Sequence, residues 1–530
     1  MDGPLRALFL CAGPRAVLPA LALVLAAGCG AGGAPAPWNG SDGGFAGSRD
    51  AGGRPPEVEV DVRFEPPAVG LSVLYATNAG SGRVAVIHAD DFSIETVKVG
   101  DQPLPAVAAP GRDLAISLDR GSSTVSLLRT GAESTTVTAL PITHDVSAVA
   151  FDPTGGYAVL FEGPRPGIVR RNFHDISVLD LTEGSERLVR VVVGYGPSRV
   201  YFDPLGHRAI VVTEDGISQI DLRTLPAEGL LRAPLLGFET TEPIGETQVD
   251  RSGTYALARF GDSQLRLLDL RDGSVVTANL ADIIAEGELE VTDVDITPDG
   301  TEAMVVVRSH ELIVRVPLGP EMANAGGWRA LQLSGQAIGS IVLSDAGRYA
   351  IAYTTTPGIE AITVLDLELD EQRRVVLRKS VRAVAISADG RFALVLHQAV
   401  ETGGTSEDDL VDEAQGYSLV DLETGFSRLM LVDAEPRSDA FVLDTTSEHL
   451  FLALRDDAHA VRELQVVDLA TFAIDRVPLL APPTTVGIFP ALERAFIGQE
   501  ADGGRVTFYL WGTGETHTVA GFELAARIRR

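Results

Sequence analysis

The chain has 530 residues, 45% of them apolar, enough to bury far more than one small core, and this excludes disorder over most of its length. Acidic residues number 73 against 43 basic ones, and the formal net charge of −30 repels a nucleic-acid backbone, so nucleic acid is not an expected partner. Lys98 and Lys379 are the only lysines, a bias that together with abundant Ala and Gly reads as genome composition rather than binding chemistry.

The first element is apolar. Arg6 and Arg15 make the start of the chain positive, and Ala16 to Gly28 (AVLPALALVLAAG) is an apolar run that ends in small residues. Its length falls short of the about 20 residues needed to span a bilayer, and Pro19 interrupts it, so residues 1–28 read as a secretory leader. The end of the run, Leu25-Ala26-Ala27-Gly28-Cys29, resembles the lipobox of bacterial lipoproteins, with Ala26 standing where leucine is more usual. The resemblance implies that the Cys29 thiol takes a diacylglycerol and tethers the mature chain to a membrane. Gly30, in place of an aspartate, implies the outer membrane of the cell envelope. Cysteine usage agrees with acylation, because the one other cysteine, Cys11, leaves with the leader and no disulfide can form.

Residues 29–57 are rich in Gly, Ala, Pro and Ser, with Trp38 and Phe45 as the bulky apolar groups, too few to build a core. They are expected to form a flexible tether.

Residues 58–530 form the body, and from about residue 72 the chain repeats. One phrase, an apolar strand, a turn and a second strand, runs from Val146 to Leu160. It returns from Pro197, Val291, Ile338 and Val381, with weaker copies near Pro103, Ile244, Arg437 and Pro482. The next phrase ends in apolar-Asp-Leu, and its aspartates are Asp180, Asp221, Asp269, Asp366, Asp421 and Asp468. A short fourth strand follows, as in RLVRVVVG up to Gly194. Apolar runs of four to eight residues bounded by Pro-Asp-Gly or Asp-Gly are strand and turn signals, and proline presets the turn while glycine accepts positive φ. The six aspartates are expected to close turns rather than to form a catalytic series.

Four strands per repeat, at this spacing, predict an all-β chain, a β-propeller of about ten four-stranded units. Leu74 to His88 (LYATNAGSGRVAVIH) resembles the YVTN-type, WD40-like propeller repeat of bacterial and archaeal surface proteins, with Ala76 replacing the valine and His88 the usual aspartate. Unit one begins at its second strand. One ring, closed by pairing of the termini with Phe522 to Ile528 as the extra strand, is therefore expected; two tandem propellers are the alternative.

In propellers, the second-to-third strand connections share one face with the links to the next blade. Three of the longest such connections are Glu162 to Phe173, carrying Arg165, Arg170 and Arg171; Gln398 to Gly416, carrying Glu407, Asp408, Asp409, Asp412 and Glu413; and Arg455 to Arg462. The arginine loop is a candidate for an acidic partner. The acidic loop offers hard oxygen ligands that suit calcium, although its spacing matches no EF-hand. Arg199, Glu246, Asp293, Arg382 and Asp439 occupy aligned inner-strand positions and are candidates to line a channel mouth. The nine histidines are scattered without metal spacing, no nucleophile-elbow, P-loop or zincin motif is present, and no cofactor is expected. The function expected is that of a lipid-anchored, non-catalytic interaction module for an envelope protein or glycan. The alternative is a propeller enzyme such as a lactonase or a quinone- or metal-dependent dehydrogenase.

Overall fold

The computed structural model describes residues 63–528 apart from 228, 241–243, 245, 262, 285–286 and 334–336. The leader, Cys29 and the tether lie outside the described residues. The rest forms ten antiparallel sheets in chain order, the blades of one β-propeller, with few short helices. The second strand of the first phrase and the apolar-Asp-Leu strand become the two middle strands of each blade and are almost wholly buried, as in Phe392–His397 of blade 8, while the first strand of the phrase lies innermost.

Side-chain alternation makes the ring. A strand sends successive side chains to opposite faces, so each blade carries two apolar faces and must bury both. In blade 3, Ala158 and Leu160 pack on blade 2, while Val159 and Phe161 pack on blade 4. Ten apolar clusters fill the ten junctions between neighbouring blades. The tenth joins Leu74, Ala76 and Ile87 of blade 1 to Phe489, Phe496 and Phe508 of blade 10. A junction between blades 5 and 6 is filled in the same way, which excludes division into two tandem rings.

The ring closes differently from the sequence-based expectation. The inner strand of blade 1 is Ala68–Val69, which immediately precedes its neighbour and pairs with it through Ala68↔Tyr75. Phe522–Ile528 is no strand but a short helix, α2, that follows the outer strand Glu515–Ala520. Gly521 at φ +67° turns the chain inward, and Phe522 packs edge-on against Phe64 at 5.0 Å. The segment Phe-Glu-Leu-Ala-Ala has the propensity of a helix, and Phe522, Ala525 and Ala526 pack at the closure without a sheet edge while Leu524 stays exposed. Further ties across the closure are Arg494 Nη1 donating to the Asp90 carbonyl at 2.8 Å and His517 stacked on Phe92 at 4.1 Å.

Blade 3 departs from four strands. Leu230–Arg232, on the way through blade 4, pairs in parallel with the outer strand Arg187–Val192 of blade 3 and covers that edge.

The turn aspartates behave as the sequence predicts. Asp366 Oδ1 accepts from the amides of Glu368 and Leu369 at 3.1 and 3.0 Å, and Asp421 and Asp468 do the same one and two blades later. A second series, less evident in sequence, closes the first-to-second strand turns: Asp203 accepts from His207 N at 2.7 Å, and Ser387 Oγ from Phe392 N at 2.9 Å.

Candidate functional site

The connection after the second strand of blade 3 folds around a buried acid. Pro164 and Pro166 keep residues 163–173 out of regular structure, and Glu162 turns back under the loop. Its carboxylate accepts from the amides of Arg171 and Asn172 at 2.9 and 2.7 Å and pairs with Arg165 at 3.2 Å. Burial demands these partners, and they fix the loop's shape.

Beside the loop, Gly194-Tyr195-Gly196 links blade 3 to blade 4. Tyr195 stacks on Phe173 with centroids 5.3 Å apart and planes 7° from parallel, and His174 meets its edge at 5.5 Å. Arg170 reaches Glu214 of blade 4 at 3.7 Å. Gly196, at φ +64°, permits this pair, since a Cβ there would meet both Arg170 Nη1 and Glu214 Oε1. Together Glu162, Arg165, Ile168, Arg170, Phe173, Tyr195 and Glu214 line a pocket of about 190 Å³. It is open to water, and Ile168 in its wall and Val169 beside it are 55% and 84% exposed. The Arg171 side chain is also exposed, and among the described residues no carboxylate pairs with it. The sequence marks the three arginines. Tyr195 and Glu214 were missed, although an aromatic between two glycines, in a link on the same face, was a usable signal.

The acidic connection of blade 8 lies on that face too. Its core is helix α1, Glu407–Glu413, begun by a capping box in which Ser406 and Asp409 bond each other's backbone amides. Asp409 accepts from Ser406 Oγ at 2.5 Å and Ser406 N at 2.9 Å, and Glu413 from Gly403 N at 3.0 Å, and these bonds hold both carboxyls below their ordinary range. Two of the acids proposed as calcium ligands therefore serve the loop's own structure. Among the described residues no group of three or more His, Cys, Asp and Glu gathers in a metal-holding arrangement. Glu407, Asp408 and Leu410 face water.

Helix α1 is held from below by a lysine. Lys379, fully buried, donates from Nζ to the carbonyls of Val411 and Asp412 at 2.8 and 2.6 Å. These carbonyls of the last helical turn have no partner within the helix, and that of Asp412 also accepts from Val400 N at 2.8 Å; a cation is favoured at such an end. Next to it His397, also fully buried, is bonded through Nδ1 to the Ser380 carbonyl at 3.2 Å and through Nε2 to Ser418 Oγ at 2.7 Å. Burial pushes the His397 pKa down to about 4, lowers that of Lys379, and raises that of Glu360, which faces Asp412. His397, one of the scattered histidines, ends the core strand Phe392–His397.

The third connection is not a loop. Strands His449–Asp456 and Val461–Asp468 run on to pair Arg455 with Arg462, leaving a four-residue turn. At its base, Gln415, Glu435, Arg455, Asp456 and Asp457 line a hollow of about 390 Å³.

Four of the five channel-mouth candidates, Arg199, Asp293, Arg382 and Asp439, turn their side chains to local partners. Arg382 sits in a β-bulge, which breaks its alternation, and it reaches Glu435 and the Pro436 carbonyl of blade 9. Asp439 is paired with Arg437 at 2.7 Å, and Arg199 donates to the Tyr201 hydroxyl at 2.9 Å. Asp293 accepts from Ile341 N of blade 7 at 3.0 Å, and the Glu246 carbonyl accepts from Arg259 N at 3.0 Å. Arg382 and Asp293 thus fasten one blade to the next.

No family model and no curated protein matches the chain. Solved structures match in shape. A dihydro-heme d1 dehydrogenase, NirN in complex with DHE, is 16% identical, covers 73% of this chain and 78% of its own, and has a TM-score of 0.42. The hydrazine synthase of Kuenenia stuttgartiensis is 13% identical over 60% of this chain and 96% of its own, at 0.30. A eukaryotic initiation factor is 10% identical over 77% of this chain and 95% of its own, at 0.52. At such identities the likeness is one of fold, and function has to be argued from the site.

Proposed function

We propose that the chain is a lipid-anchored β-propeller of the cell envelope, tethered through Cys29, which works as a non-catalytic interaction module. Its partner is an envelope protein or glycan that presents an acidic group beside an apolar one to the face carrying the blade 3 loop. The observation that carries the reading is the half-exposed Phe173–Tyr195 stack in one hollow with Arg165, Arg170 and Ile168, with the exposed Val169 and Arg171 next along the same loop. Aromatic and arginine side chains in one partly desolvated hollow are the usual anchors of a binding surface, and contiguous exposed apolar groups favour being covered. Arg165 and Arg170 are held by Glu162 and Glu214, an arrangement suited to positioning a partner rather than to moving protons. The lipobox-like run before Cys29 and the Gly-rich tether support the anchored placement.

The test is capture from crosslinked envelopes by the wild-type chain and by a Tyr195→Ala, Arg171→Glu variant of unchanged melting temperature. A protein or glycan retained by the wild type and lost by the variant is expected. Equal capture by both, or none by either, overturns the reading. Stoichiometric calcium or quinone in the purified protein, with turnover of a lactone or alcohol, would favour the enzymatic alternative.

A further inference from the structure

The arginine loop belongs to blade 3 and the acidic loop to blade 8. In a ring of ten blades these lie five apart in either direction, on opposite sides of one face. The two loops are also complementary. One offers the exposed Arg171 guanidinium, the aromatic stack, and Ile168 and Val169; the other offers the Glu407 and Asp408 carboxylates and Leu410, which is 62% exposed. Glu407 and Leu410 are three positions apart on α1, so they share one side of the helix and present an acid and an apolar group together.

Resting on the pocket as a binding surface, we infer that its occupant is the acidic blade 8 loop of a second copy of this chain, so that two rings pair face to face. A two-fold axis lying in the plane of the face, midway between the loops, sets each copy's arginine loop on the other's acidic loop. Both contacts form at once and the assembly closes as a dimer. An in-plane two-fold exchanges any two points of the face, and with blades 3 and 8 half a turn apart the two contacts fall at opposite edges of the ring. Lys379 and the capping box hold α1 in place beforehand, which lowers the entropy lost on docking.

The test is a charge exchange in the full purified chain, followed by sedimentation. Wild type is expected to be dimeric, with association weakened by salt. Arg171→Glu alone and the pair Glu407→Arg, Asp408→Arg alone are each expected to weaken dimerisation at least about tenfold. Combining all three is expected to restore it. Wild type that stays monomeric, or a dimer indifferent to each reversal, overturns the inference. Unchanged melting temperatures exclude misfolding as the cause. If the wild type is monomeric yet its envelope capture is lost in the Tyr195→Ala, Arg171→Glu variant, the pocket remains a binding site and only its occupant is wrong; if that capture is also indifferent, both readings fall.

Discussion

Lys379 donates its buried ammonium to the main-chain carbonyl of Asp412 at 2.6 Å, so the acidic loop of blade 8 is fastened to the core through one side chain. Replacing it by methionine keeps the stem and removes the donor, leaving the Val411 and Asp412 carbonyls without it. Lys379→Met is expected to cost about 1–3 kcal/mol. It should also open the loop to a glutamate-specific protease between Glu401 and Glu413. Cleavage at the wild-type rate would refute the anchoring role.

His397 predicts a pH dependence. Its pKa is pushed down to about 4 by burial, from an ordinary value near 6.5. Between those values the unfolded chain holds a proton that the folded chain refuses, so stability is full above about pH 6.5 and falls as pH drops towards 4. The loss from this group is expected to reach about 3 kcal/mol. Denaturant unfolding at pH 7 and pH 4.5 measures it, and His397→Asn should flatten the difference. Equal slopes in both proteins would assign the effect elsewhere.

Gly196 leaves room for the Arg170–Glu214 pair in a left-handed conformation. Gly196→Ala is expected to destabilise the chain by about 1 kcal/mol from backbone strain alone. The added Cβ also displaces the pair that walls the pocket, so partner capture should fall further than the melting temperature accounts for. Undiminished capture would mean that this wall is not part of the surface used.

Phe522 tests ring closure. Its ring is buried among Phe64, Phe496 and Phe508 at the junction of the first and last blades. Phe522→Ala is expected to cost about 3–5 kcal/mol and to lower the calorimetric midpoint. Hydrogen exchange should quicken first in residues 68–98 and 483–520. A variant as stable as wild type would show that α2 is dispensable for closure.

Asp366 stands for the repeated turn acids. Asp366→Ala removes the acceptor for the Glu368 and Leu369 amides and the partner of Arg348, at a cost of about 1–2 kcal/mol. Capture by the pocket, which lies in blades 3 and 4, should be unchanged. A loss of binding without a loss of stability would contradict the turn role.

The repeat, the strand count and the turn acids were legible because they are local. Alternation of period two, Asp-Gly turns and apolar-Asp-Leu endings each depend on a few adjacent residues, and six copies of one signal make it hard to misread. The nature of Phe522–Ile528 was not legible in that way. Helix propensity is a weak signal over so short a stretch, and the choice fell to the packing available beside Phe64 once Ala68–Val69 had filled the inner edge of blade 1.

For the site, the sequence by itself determined which loops are long and what charge they carry: Arg165, Arg170 and Arg171 in one, Glu407 to Glu413 in the other. Only the tertiary structure decided what those charges do. Closure of ten blades brings Tyr195 onto Phe173 and Glu214 onto Arg170, buries Lys379 and His397 beneath α1, and turns Arg382 and Asp293 towards neighbouring blades. Those contacts join residues in different strands and blades, and a burial that forces a polar group to find a partner is set by the whole ring rather than by any stretch of chain.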